Sequence, residues 1–252
     1  MADLKEVVAF LDGTLALDRF HDVSNNGLQI ENKGKVSRVL CGVDGSLRTL
    51  RYAAEQGADL VVCHHGVSWG DSLKRITALN YRLVSFAVEH DIALYAAHLP
   101  LDAHPVHGNN ACLCRLLGLR AKQPAFEYRG NTIGFRGELS KPLSFEAFCA
   151  RVREKVSLEI RALPFGKKTV RTVGVVSGGA CEDVEQAYAL GLDVFLTGEP
   201  GLVGYTMAEN LGMNAVFAGH YATERFGVES LGKLLYKQFK LPVSLVDFSI
   251  PY

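Results

Sequence analysis

Short apolar runs recur along the chain: Val36–Val43, Leu60–Cys63, Ala93–Ala97, Thr169–Val176, Val194–Thr197, Ala215–Ala218 and Val243–Phe248. Stretches with helical spacing of apolar positions separate them, namely Ser46–Gln56, Tyr81–Glu89, Cys181–Leu190 and Glu224–Phe239. Ser144–Val156 reads as one more amphipathic helix, opened by a serine, with Glu146 and Glu154 on its polar side. Near-continuous apolar strands alternating with helices predict an α/β fold, its parallel or mixed sheets covered by helices.

The pattern also repeats. Arg51–Leu60 aligns with Glu185–Val194: Ala53 matches Ala187, Gly57 matches Gly191 and Asp59 matches Asp193, all 134 residues apart. Further on, Ala93–His98 with Asp102 aligns with Ala215–His220 with Glu224, now 122 residues apart. Two matched blocks in the same order indicate a duplicated α/β module, with extra chain around Trp69 to Asn80 in the first copy. The expected division is a first half over 1–119, a connection over 120–168 and a second half over 169–252, integrated as one domain.

Composition narrows the function. Of 252 residues 48% are hydrophobic, and 27 Lys+Arg balance 27 Asp+Glu for a formal charge of +0. That balance argues against a nucleic-acid binder, which needs a basic face. No apolar stretch reaches the roughly 18 residues of a membrane span, and Met1–Phe10 lacks the features of a secretory signal. The six cysteines sit largely in apolar runs, where buried thiols are expected; Cys112-x-Cys114 is too tight for a zinc ribbon and reads as helix packing. Reduced thiols and no export signal point to the cytoplasm.

The strand ends carry the chemistry. Side chains just beyond the carboxyl ends of strands line the ligand crevice of open α/β sheets. Here Val61–Cys63 ends in His64-His65, Leu94–Ala97 ends in His98 with Asp102 after it, and Val216–Ala218 leads to His220 with Glu224 after it. Singly, each histidine is more simply a hydrogen-bonded surface residue, but four at repeat-related strand ends point to a metal site between the two halves. His21, His90, His104 and His107 lack that placement, although the last two lie close enough for a substrate role.

These motifs, Val62-Cys63-His64-His65-Gly66 with Trp69, His98-Leu99-Pro100-Leu101-Asp102-Ala103-His104 and Gly219-His220-x-x-x-Glu224-Arg225, resemble the Nif-three-like family over essentially the whole chain. Ser24–Gln29 and Asn109-Asn110 look like further motifs of that family, and the chain resembles its short form. Bacterial members carry the name GTP cyclohydrolase 1 type 2 homologue. The resemblance implies a dinuclear centre held by His64, His65, Asp102, His220 and Glu224, in a ring-shaped homohexamer whose sites face an inner cavity. It does not include His98 among the ligands, which leaves His98 a supporting or proton-handling role.

Imidazoles and carboxylates together suit zinc, manganese, iron or nickel. Five ligands shared by two ions leave open coordination positions, the arrangement of two-metal hydrolases. Within the set, Glu224 is the expected bridge because a carboxylate offers two oxygens and an imidazole one lone pair. Asp102, expected in a loop, and one of His64/His65 would serve one ion; the other histidine and His220 would serve the second. For a small-molecule substrate the candidates are Asn26, the Ser177-Gly178-Gly179 turn, whose N–H groups can hold an anion before a helix, and Glu199, the repeat counterpart of His65. Each has a plain alternative: an Asx turn, an ordinary tight turn and a salt bridge. The first functional reading is a hydrolase of a nucleotide-like compound, by resemblance GTP opened at its imidazole ring with release of formate. A metal-holding ring that serves as an interaction platform or metal chaperone, and a two-metal phosphoesterase or amidase, stand beside it.

Overall fold

The computed structural model describes residues 1–251. Its first elements are β1 (Ala2–Asp3), α1 (Leu4–Leu15), β2 (Gly27–Ile30), β3 (Lys35–Val36) and β4 (Val39–Asp44). α2 (Leu47–Glu55), β5 (Leu60–His65), α3 (Ala78–Glu89) and β6 (Ala93–Ala96) follow. Next come α4 (Leu99–Ala103), α5 (Asn109–Leu116), β7 (Leu119–Tyr128), β8 (Asn131–Ser144), α6 (Phe145–Lys155) and β9 (Arg161–Pro164). β10 (Thr169–Val175), α7 (Val184–Ala189), β11 (Val194–Thr197), α8 (Leu202–Leu211), β12 (Asn214–Phe217), α9 (His220–Phe239) and β13 (Val243–Leu245) complete the chain. No helix among the described residues is long and apolar enough to cross a membrane. All six cysteines are free thiols, and Cys112 and Cys114 are buried in α5.

The chain divides into two compact units, Met1–Leu101 with Gly227–Phe248, and Asp102–Phe226 with the few residues after Phe248. This is not the division expected at 119 and 168. The segment 120–168 is no mere connection, since β7, β8 and β9 are strands of the second unit's sheet. Gly227–Phe248 returns to the first unit, where β13 pairs in parallel with β4. The pairings of β9 with β12 and of β13 with β4 join segments far apart in the sequence and leave no local pattern to read.

In the first unit the sheet order is β13-β4-β5-β6-β2, with β4, β5 and β6 parallel and β2 antiparallel at the edge. Alternate residues point to opposite faces, so each strand feeds two cores. Val39, Cys41, Leu60, Val62 and Tyr95 pack on one face with α1 and the end of α9. Leu40, Val61, Cys63 and Leu94 pack on the other with α2 and α3. The second unit has the order β7-β8-β10-β11-β12-β9, again with a parallel centre, β10, β11 and β12, and antiparallel flanks. Every residue of β11 and β12 is buried, as continuous apolar runs between helices require.

The matched aspartates of the repeat do the same work twice. The Asp59 carboxylate accepts from the backbone N–H of Ser37 and Arg38 and from the Ser37 hydroxyl. Asp193 accepts from Arg171 N–H, Thr172 N–H and the Thr172 hydroxyl at 3.0 Å each. Each clamps the start of its strand to its neighbour, β5 to β4 and β11 to β10. The second matched block is one residue out. Ala97 N–H donates to the Cys63 carbonyl, and Ala218 N–H donates to the matched Thr197 carbonyl, both at 2.9 Å. The register therefore sets Ala218 against Ala97, Gly219 against His98 and His220 against Leu99. The two His-x-x-x-carboxylate motifs do not occupy equivalent positions.

Burial pushes the Asp193 carboxyl up, but hydrogen bonds from Lys167, Thr172 and Arg171 outweigh it and hold the group below its usual range. A carboxylate held low adds stability above its unfolded pKa and loses it as pH falls through the folded value. Asp193→Ala is expected to cost about 2 kcal/mol at pH 7, from hydrogen bonds to a charged acceptor. The cost should shrink below about pH 4, and denaturant midpoints across pH measure both. Asp59→Ala should cost a similar amount at pH 7.

Candidate metal centre

The first unit gathers three imidazoles at the carboxyl ends of its parallel strands. β5 ends in His64, fully buried, and His65, half-buried. Successive strand residues point to opposite sides, and these two find different supports. His64 Nδ1 lies 2.7 Å from the Ala97 carbonyl, just past β6. His65 Nδ1 lies 2.9 Å from Asp44 Oδ1, at the end of β4. His98 Nδ1 is 2.9 Å from Asp22 Oδ1, and its backbone N–H donates to Asn26 Oδ1 at 2.7 Å. Ligand nitrogens of His64, His65 and His98 lie within 4.8 Å of one another.

A carbonyl or an ionised carboxylate only accepts, so each of these Nδ1 atoms is the protonated one, and Nε2 carries the lone pair. Asp22 is ionised at neutral pH. Burial alone would push its carboxyl up, and the His98 ring, the Asn26 amide and the Ser24 N–H pull it down to about 2.

The second unit brings together two carboxylates and one imidazole of its own. Asp102 lies on helix α4, not in the expected loop; the helix accommodates Pro100 in its first turn, where no N–H is required. Its carboxylate is nearly fully buried and accepts from Ser177 Oγ and Asn109 Nδ2 at 2.9 Å each. α9 begins at His220, one turn before the expected start, so His220 and Glu224 share one face. His220 Nδ1 is 2.7 Å from Glu199 Oε1, which again leaves the lone pair on Nε2. That nitrogen lies 3.0 Å from Oε2 of the buried Glu224. Two acceptors facing each other at this distance need a proton or a shared cation. Asp102 and Glu224 bring carboxylate oxygens within 4.8 Å of each other. Imidazole nitrogens so oriented, and buried carboxylate oxygens, are donor types that fit zinc, iron, manganese or nickel.

Two N–H groups of the turn after β10 are taken up within the protein. Ser177 N–H donates to Asn110 Oδ1 and Gly178 N–H to Thr223 Oγ1, so neither faces a ligand, and Glu182 and Asp183 follow in place of a bare helix start. Gly178, at φ +69, is there for close approach: a Cβ would lie 2.2 Å from Glu224 Oε1 and 3.2 Å from His220 Nε2. Gly179 sits beside the Glu199 carboxylate. Asn26 also turns inward, since its amide donates to Asp22 and to the Ser24 carbonyl while its oxygen holds His98. Asp22 and Asp44 are supporting residues that sequence reading missed. Asp44 was legible as a polar end to an apolar run; Asp22 sits in a connection with no such signal.

A model of the family Duf34/NIF3 (NGG1p interacting factor 3) matches residues 2–250. The chain belongs to the DUF34/NIF3 family. Among its DUF34/NIF3 relatives, a GTP cyclohydrolase 1 type 2 homolog of Archaeoglobus fulgidus is 40% identical over 249 residues, covering 99% of this chain and 98% of the relative. One from Deinococcus radiodurans is 40% identical over 243 residues, covering 96% and 92%. The crystal structure of TTHA1606 from Thermus thermophilus is 32% identical and superposes with a TM-score of 0.90, each chain covered in full. The protein ybgI, described as of unknown function, is 30% identical with a TM-score of 0.94, again over all of both chains.

Gly178→Ala places a methyl group against the Glu224 carboxylate at a backbone angle that favours glycine. The variant should bind zinc at least tenfold more weakly than wild type, a loss typical of disturbed ligand support. Competition against a chelating dye reads the change, and circular dichroism checks that the fold is kept.

Proposed function

We propose that His64, His65, Asp102, His220 and Glu224 hold two divalent ions, and that the protein is a metal-dependent hydrolase of a nucleotide-like substrate. The observation that supports this best is the shared orientation of the imidazoles, each with Nδ1 held by an acceptor and Nε2 left as the ligand atom. Ions so held supply Lewis-acid activation of water and of the substrate.

The chain's own residues do the rest. Asp44 and Glu199 turn His65 and His220 and make them better donors. Ser177 and Asn109 fix Asp102 through one oxygen. His98, with Nδ1 on Asp22, keeps Nε2 as the atom that takes and returns a proton. The name of the relatives, GTP cyclohydrolase 1 type 2 homolog, gives the substrate its direction: a purine nucleotide hydrolysed at its imidazole ring. A cytoplasmic homohexamer belongs to the same reading. Light scattering at micromolar concentration should give a mass six times that of the chain, and a monomer mass would reject the ring.

The test is metal per subunit by elemental analysis after dialysis, with turnover of GTP, phosphoesters and amides measured on the same samples. Wild type should hold close to two ions. Glu224→Ala should lose most of both, and His220→Ala mainly one. His98→Ala should keep both ions and lose about 10²- to 10⁴-fold in rate, the usual worth of a positioned acid or base. A fully loaded protein that turns over none of these compounds overturns the hydrolase reading. A wild type that never exceeds one ion overturns the dinuclear one.

A further inference from the structure

Trp69 is the chain's only tryptophan. It is half-buried, in the loop that follows His65. Its ring centroid lies 5.0 Å from that of His98, inclined by 74°, and 5.9 Å from that of His65, inclined by 45°. Neither imidazole is parallel to the indole, so neither ring stacks on its faces. The indole cannot swing freely, because Nε1 donates to the Gly66 carbonyl at 2.8 Å and the Trp69 N–H donates to Ser72 Oγ at 2.8 Å.

The Ser24–Gln29 segment, singled out in the sequence, is the clamp on this loop. Asn25 donates to Ser68 Oγ and to the Gly70 carbonyl, at 2.7 and 2.9 Å. Gln29 Oε1 accepts from the N–H groups of Val67 and Ser68, and its amide donates to the Asn25 and Ser68 carbonyls. Gly66 has no room for a side chain, since a Cβ would lie 2.2 Å from Gln29 Oε1. A bridge between Ser24 and Trp69 completes the attachment. A rigid, partly exposed indole beside two imidazoles is a prearranged surface for a flat ring, and its fixed loop removes an ordering cost from binding.

We propose that Trp69 is a stacking wall, and that the ligand of this site carries a planar heteroaromatic ring laid against the indole. The assignment rests on the reading of His64 and His65 as metal ligands, and it narrows the substrate class to compounds with a base rather than a bare sugar phosphate or an aliphatic amide.

The single tryptophan makes the test direct. Zinc-loaded protein is titrated with guanosine 5′-monophosphate and, separately, with ribose 5-phosphate, following tryptophan emission. The nucleotide should change the emission with saturation, and the sugar phosphate should neither do so nor compete. By calorimetry, Trp69→Phe should bind the nucleotide within a few-fold of wild type. Trp69→Leu should bind about tenfold more weakly, within the range found for loss of base stacking, with zinc per subunit unchanged. The proposal is overturned if the nucleotide gives no saturable change, if the sugar phosphate competes equally, or if Trp69→Leu binds as wild type does. Loss of zinc in Trp69→Leu also overturns it, because the indole would then serve only to position the imidazoles. If wild type takes up no zinc, the metal reading fails, and the same titration on the metal-free protein decides stacking alone.

Discussion

The site depends on hydrogen bonds that run away from it. Either nitrogen of a neutral imidazole can carry the proton until one is committed, and here Nδ1 is committed every time. Tautomer and ring plane are then set together, which leaves Nε2 as the nitrogen that bears the lone pair. The supports are not uniform. His64 leans on a backbone carbonyl, which orients it without adding charge, whereas His65, His98 and His220 lean on carboxylate side chains. The differences follow position in the sheet: His64 turns toward the end of β6 and His65 toward the end of β4, and only the second of these strands ends in an acid.

Those supports work only if neighbouring strands end level with one another. Asp59 and Asp193 set that register from the opposite end of each sheet by fixing where β5 and β11 begin beside their partners. A parallel pair offers no tight turn to define its alignment, so a side-chain clamp at the strand start is a direct way to supply it. Glycine has the complementary task at the carboxyl ends. Gly178 lets backbone lie against the Glu224 carboxylate, and Gly66 lets Gln29 reach the loop that bears Trp69. Polar side chains whose chemistry suggested contact with a ligand, Asn26 and Ser177, spend their hydrogen bonds on holding His98 and Asp102.

The sequence by itself determined the buried parallel centre of each sheet and the strand-end histidines. Strands covered on both faces must be apolar throughout, and the polar residue that ends such a run stands out. It determined the duplication as well, through the glycine and aspartate that each module needs at the same turn. Only the tertiary structure decided the edges. β2 and β9 pair antiparallel to distant partners, and exposed positions interrupt the apolar pattern of the hairpin β7–β8. Only the structure showed that His98 and His220 are not counterparts, since a one-residue register difference leaves no trace in an alignment of two similar motifs. It alone brought Asp22 to His98 across 76 residues of sequence, because the partner of a ring nitrogen is chosen by the fold, and a carboxylate in a loop looks the same whether it meets water or an imidazole.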